Sequence, residues 1–318
     1  MEYATRCCSV CRVMQRICRS VYSSWPYMNL PRVPSALVGG VAALSDLFVA
    51  LGRSRGIPRD EVRTIADLVP AEIKAAPCFL DRLTGIWRYD FGEPFVNLRG
   101  GGVVLGTNMY QEVERLYAVL SCAQRRLSKD RLSSYLATLG NPAKHEDALV
   151  EFAPILRLGG DVETEYEVAG YGEGNRTVDW VIRASGHPLV LLDVKNRVKD
   201  LLESLVRLQA GERSPDDNGP APIHDPSLLF GSVESKFKSQ LPSEAIQAVW
   251  VHTCLKQEEA ELDAAFRELD PSRVHAAILG DWAPDVYILA KDATAKAHLA
   301  EVLRVHESHR FVFRRVEG

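Results

Sequence analysis

Residues 177–195 read Thr177-Val-Asp-Trp-Val-Ile-Arg183, then Ala-Ser-Gly-His-Pro, then Leu189-Val-Leu-Leu-Asp-Val-Lys195. Two apolar runs joined by a short Gly-Pro turn predict a β-hairpin. Side chains alternate between the faces of a strand, so Thr177, Asp179, Val181 and Arg183 share one side. On the second strand Leu189, Leu191, Asp193 and Lys195 share a side. With the turn centred on Gly186, residues whose numbers sum to 372 face each other, which sets Asp179 opposite Asp193. Cross-strand neighbours lie about 4.5–5.5 Å apart between Cβ atoms, and like charges so placed repel. A divalent cation is the simplest compensation, because hard ions prefer carboxylate oxygen, and Mg²⁺ is commonly held by one or two carboxylates plus water and phosphate. Lys195 reaches the same spot, where an ammonium can stabilise developing negative charge or help activate water. The tripeptide acid-x-Lys carries no weight alone, since Glu72-Ile-Lys74 and Glu234-Ser-Lys236 also occur. The specific feature is an apolar strand running into Asp-Val-Lys in register with an acid across a tight turn. The plain alternative is a solvated charged edge.

An acid within one strand followed by Asp193-Val-Lys195 on the next resembles the PD-(D/E)XK nuclease superfamily, over roughly residues 141–254. The first motif reads Val178-Asp179 and lacks the proline that usually precedes the acid. The resemblance implies a restriction-endonuclease-like α/β fold, a mixed sheet flanked by helices, and metal-dependent hydrolysis of phosphodiester bonds. It implies Asp179 and Asp193 as metal ligands, the Val194 carbonyl as a further ligand, Lys195 as a catalytic residue and an upstream helical Glu. The segment Asn141–Leu158 is read as that helix, opened by Asn141-Pro142. Glu146 and Glu151 both stand in it. Glu151 is preferred for the metal shell or for orienting water, because it shares a stripe with Ala148, Ile155 and Leu158. Glu163, Glu165 and Glu167 alternate on the next strand and read as its solvent face.

Beyond Lys195, the spacing predicts a helix over Val198–Ala210 and an exposed loop over Gly211–Pro226. A helix over Leu228–Gln240 and a strand over Ala245–Cys254 complete the expected αβββαβ core. Lys236 and Lys238 on that helix are read as a solvated face, with contact to phosphate as the alternative. The remainder is read as a helix Gln257–Leu269, strands Val274–Leu279 and Val286–Ala290, a helix Ala293–His306 and a strand Phe311–Val316.

Upstream, periods near 3.6 predict helices over Ala36–Leu51, Pro58–Lys74, Asn108–Leu127 and Lys129–Leu139, with a β-like piece at Trp87–Val104. Its Gly100-Gly101-Gly102 lacks the Gly-Lys-Ser/Thr of a phosphate loop. Three units follow from the pattern: an arm over 1–34, a mainly helical domain over 35–140 and an α/β domain over 141–318. The arm carries Cys7, Cys8, Cys11 and Cys18, whose spacing does not repeat as zinc-ribbon pairs. It also carries four arginines, and Met14 or Met28 is an alternative start.

The 318 residues are 46% hydrophobic and 25% charged, an ordinary globular composition. No apolar run is long enough to span a bilayer, so no membrane is expected. Seven cysteines, an odd count without a secretory signal, suggest a reducing cytoplasm. A net charge of -4 excludes a surface that grips nucleic acid everywhere, leaving a local patch as the expected interface. The sequence reading is therefore a Mg²⁺- or Mn²⁺-dependent nuclease acting on nucleic acid, with DNA as the first substrate to test. It is compatible with a homodimer, since cutting two strands suits paired copies. Two competing readings are a nuclease-fold module without catalysis, binding nucleic acid or protein, and an interaction factor whose helical N-terminal part does the work.

Overall fold

The computed structural model describes residues 44–74, 103–141, 143–174, 176–198, 226–239, 244–253 and 256–314. The cysteine-rich arm, most of the β-like piece with its three glycines, and the helix and loop read over 199–225 lie outside the described residues.

The hairpin forms as its pattern requires. Glu163–Val168 is β1, Val178–Arg183 is β2 and Val190–Asn196 is β3. Gly186 turns the chain at φ 78°, in the left-handed region that glycine enters without penalty. Trp180 pairs with Leu192, Val181 with Leu191 and Ile182 with Val190, which is the register read from the sequence. Strand β4 (Ile246–His252) runs parallel to β3 and is buried along its whole length, as a central strand covered on both faces must be. Beyond it come β6 (Ala276–Gly280), β7 (Asp285–Ala290) and the two-residue β8 (His306–Glu307), giving a mixed seven-stranded sheet in the order β1-β2-β3-β4-β6-β7-β8. Of the last strand expected from the sequence, Phe311–Val316, the described residues form β9 (Val312–Phe313), with Phe311 in a 3₁₀ turn before it. It leaves the main sheet to pair with β5, Gln257–Glu258.

Helices α1 (Leu44–Arg55), α2 (Arg59–Leu68), α3 (Ala71–Lys74), α4 (Val103–Arg126) and α5 (Lys129–Leu139) precede the sheet. Pro70 divides the run expected to be one helix over 58–74, because a proline disfavours helical backbone in the residue before it. Phe48, Leu51, Ile65, Leu116 and Leu120 of these helices join Trp180, Ile182, Leu192 and Trp250 of the sheet in one hydrophobic cluster. The sequence boundary at 140 does not interrupt it. The opposite face is covered by α7 (Pro226–Leu229), the 3₁₀ turn Glu234–Lys236 and α8 (Glu259–Glu268), which bury Phe230, Val233, Phe237, Leu262 and Phe266 against Val181, Leu191, Val249 and Val251. Helix α9 (Ala293–Val302) is capped by Asp292, whose carboxylate accepts from the Ala295 amide at 2.7 Å.

Two further boundaries near the strand ends differ from the sequence reading. The helix expected to start after Asn141 begins at His145 as α6 (His145–Glu151), because the Asn141 side chain accepts from the Ala143 amide and closes a turn instead of capping. The chain continues through a separate 3₁₀ turn, Ile155–Arg157. The helix expected over Leu228–Gln240 is broken, since Ser232 takes a left-handed φ of 64°. Its second half becomes the 3₁₀ turn that carries Lys236.

Gly280 shows how tightly the sheet centre is packed. A Cβ there would meet Trp250 Cζ2 at 2.5 Å and Cη2 at 2.6 Å. Gly280→Ala is expected to cost about 2 kcal/mol of unfolding free energy through this overpacking, read as a lower urea midpoint with an unchanged slope.

Candidate active site

The site is assembled from the ends of β2 and β3 and from the 3₁₀ turn packed over them. Asp193 sits on the face of β3 that carries Leu191, and its side chain is 0% exposed. Burying a carboxylate demands a partner, and two are present. Lys195 Nζ stands 3.0 Å from one oxygen and Lys236 Nζ 3.1 Å from the other. Both contacts lie at the distance of a charge-assisted pairing between ammonium and carboxylate. Across the hairpin, Asp179 accepts from the Val194 amide at 2.7 Å, which fixes its carboxylate beside the same strand end.

Electrostatics follow from this crowding. Burial, then the charges of Asp193 and Glu151, push the Asp179 carboxyl well above its ordinary range, while Lys236 and the Val194 amide pull it back. Burial lowers the Lys195 ammonium, partly offset by Asp193 and reinforced by Lys236. At Lys236 burial works in the same lowering sense, but the charges of Asp193 and Asp179 outweigh it and raise the group.

Glu151 closes α6 at the other side of the strand ends. An aromatic group holds it: Tyr166 Oη donates to Glu151 Oε2 at 2.5 Å, and Trp180 Nε1 donates to the Glu151 carbonyl at 2.8 Å. Tyr135 supports the same helix by donating to the Ala148 carbonyl at 2.9 Å. Phe152 and Tyr166 pack on Trp180 with ring centroids 4.9 and 4.8 Å away. Burial pushes Glu151 up to about 7; the Tyr166 hydrogen bond opposes this, while the charges of Glu167, Asp147 and Asp193 add to it. Glu146, the competing acid, lies nearer the start of α6 and is half-buried.

Asp179, Asp193 and Lys195 are thus brought together, and Glu151 stands where its charge acts on both aspartates. The sequence does not reveal the contact of Lys236 with Asp193 or the role of Asp147. Lys236, read as a solvated helix face or a phosphate contact, is turned inward on Asp193. Asp147 accepts from Asn196 Nδ2 at 3.2 Å, linking α6 to the end of β3. An i+1 neighbour of Lys195 with an amide side chain was the available signal for that link. The glutamates of β1 behave as expected: Glu165 pairs with Arg183 and Glu167 with Arg131 at the surface. Of the arginines near the C-terminus, Arg304 pairs with Asp161, Arg310 with Asp281 and Arg314 with Glu259. His145 donates from Nδ1 to the Leu139 carbonyl at 2.7 Å and is buried, as is His252.

Two adjacent carboxylates, one of them fully buried at a strand end, have the donor chemistry of a divalent-cation site that completes its shell with water and phosphate. Among the described residues no group of three or more His, Cys, Asp or Glu is gathered closely enough to hold an ion by itself. Among the described residues no helix is long and apolar enough to cross a membrane. Compared with known proteins, the chain matches no family model, no curated protein and no solved structure.

Proposed function

We infer that the protein is a Mg²⁺-dependent nuclease of the PD-(D/E)XK type that hydrolyses phosphodiester bonds in nucleic acid, with DNA as the first substrate to test. The observation that carries this reading is the buried Asp193 held between two ammonium groups beside Asp179 at the end of an apolar strand. The run of α6, an antiparallel β1-β2-β3 unit and a β4 parallel to β3 supports a restriction-endonuclease-like core.

A bound Mg²⁺ or Mn²⁺ would supply Lewis-acid polarisation of the phosphate and an acidified water. Asp179 and Asp193 would hold it, with the Val194 carbonyl as a further ligand. Lys195 sits beside Asp193, where it orients the attacking water and stabilises charge developing on phosphate oxygen. Glu151, with its carboxyl raised to about 7, is suited to take the proton of that water near neutral pH. Water oxygen bonds to phosphorus, the ester P–O bond breaks, and the leaving oxygen is protonated from solvent.

A second reading draws on the same residues. The Asp193 oxygens already face two ammonium groups, as in a nuclease-fold module that binds without cutting. Incubation with plasmid DNA, single-stranded DNA and structured RNA in Mg²⁺ or Mn²⁺ separates the two. The nuclease reading expects cleavage of at least one substrate that EDTA stops and that Asp179→Asn and Lys195→Met each reduce by about a thousandfold. Metal-independent binding with no cleavage of any substrate would leave the binding module.

A further inference from the structure

We propose that Lys236 occupies the cation's place at Asp193 in the metal-free protein, so that its contact with Oδ1 and a divalent ion on that oxygen exclude each other, and that the displaced ammonium then meets the substrate phosphate. The proposal rests on the nuclease reading and assigns a role to a residue outside the acid-x-Lys motif.

The charge balance carries it. Lys195 and Lys236 stand on the two oxygens of Asp193, two ammonium groups on one buried carboxylate, so its charge is already compensated before any ion arrives. A divalent ion added to that set leaves an excess of positive charge in a largely buried volume, where opposition between like charges is weakly screened. One ammonium must withdraw. Lys195 belongs to β3, with its backbone in the parallel ladder to β4 opposite Val251, and its side chain is 17% exposed. Lys236 lies outside the sheet, is 27% exposed and touches the other oxygen of Asp193, so it has the easier path to solvent.

Its backbone nevertheless stays put. Val233 and Phe237 on either side are fully buried. The Lys236 carbonyl accepts from the Glu173 amide at 3.4 Å, and Arg176 donates to the Ser235 carbonyl at 3.0 Å. Arg197, two residues past Lys195, donates to the carbonyls of Leu229 and Gly231 at 3.2 and 2.7 Å and ties this segment to the end of β3. A fixed backbone with a long side chain lets the ammonium move from carboxylate to phosphate without unfolding the turn. A phosphodiester brings the negative charge that the ion and the freed ammonium then share.

The test is Mn²⁺ binding to the full chain, followed by calorimetry, for wild type, Lys236→Met, Lys236→Arg and Lys238→Met. Lys238 is a neighbouring lysine whose ammonium donates instead to the Gly170 carbonyl at 2.7 Å, so it controls for the loss of one positive charge. Lys236→Met is expected to bind Mn²⁺ about tenfold more tightly than wild type, with Lys236→Arg and Lys238→Met close to wild type. In wild type, saturation with Mn²⁺ is expected to raise the acetylation rate of Lys236 by acetic anhydride severalfold and to leave Lys195 unchanged, which needs no variant to fold. Unaltered affinity in Lys236→Met together with unaltered Lys236 labelling, while wild type binds Mn²⁺, would overturn the proposal and leave the nuclease reading standing. Absence of Mn²⁺ binding in every form would remove the metal reading and this proposal with it.

Discussion

Asp193→Asn is expected to abolish metal-dependent cleavage, by about a thousandfold or more, and to lower the unfolding free energy by about 2–3 kcal/mol in urea titrations at pH 7.5. The stability loss arises because asparagine keeps the shape but not the charge. Lys195 and Lys236 stand 3.0 and 3.1 Å from the two oxygens of a fully buried carboxylate, and without it they face each other uncompensated. Two gains oppose the loss, since neither Asp179 nor Glu151 any longer feels the Asp193 charge. Two ammonium groups in direct contact outweigh two carboxylates that act only through their charge, which decides the sign. The value is set below that of a wholly buried pair because both lysines keep some contact with water. Activity and stability should separate on adding Mn²⁺: wild type gains stability on ion binding and Asp193→Asn does not.

Glu151→Gln is expected to stabilise the protein by about 3 kcal/mol at pH 8 and to change it little at pH 4.5, while cutting cleavage about a hundredfold. The folded carboxyl is raised from 4.5 to about 7, so the folded state holds a proton that the unfolded chain gives up. For a raised carboxyl the contribution to stability is full below the unfolded value, falls as pH rises from 4.5 to about 7, and is flat and lowest above that. Glutamine is neutral throughout and still offers Tyr166 a carbonyl oxygen, so the variant escapes the loss. Denaturation of both proteins across pH 4.5–8 checks the sign. A constant difference over that range would show that Glu151 is not the group that titrates.

The hairpin was legible because two independent features agreed. Alternation put Asp179, Asp193 and Lys195 on one face, and a short turn around Gly186 left a single register, which Trp180 against Leu192 reproduces. The apolar strands β4, β6 and β7 were legible for the same reason, as continuous buried runs. Lys236 was not. Periodicity over 228–240 describes a helix in which Lys236 points outward, and only the left-handed backbone at Ser232 reverses it. A non-glycine residue in that conformation leaves no mark in composition. Helix α6 was legible at Ala148, which is buried on the stripe read for Glu151, but not in its start. Asn141 serves a turn as readily as a cap, and the choice is made by tertiary packing. Glu151 was singled out by its apolar stripe; the partners that fix it, Tyr166 and Trp180, come from β1 and β2 and are invisible to local spacing.

In the proposed nuclease Asp179 and Asp193 share one divalent ion at the end of the hairpin. Anomalous diffraction from crystals grown with Mn²⁺ locates that ion. A single strong peak within coordination distance of both carboxylates is expected, with Lys236 withdrawn from Asp193. A fully occupied Mn²⁺ elsewhere, or no peak with both ammonium groups still on Asp193, would contradict it.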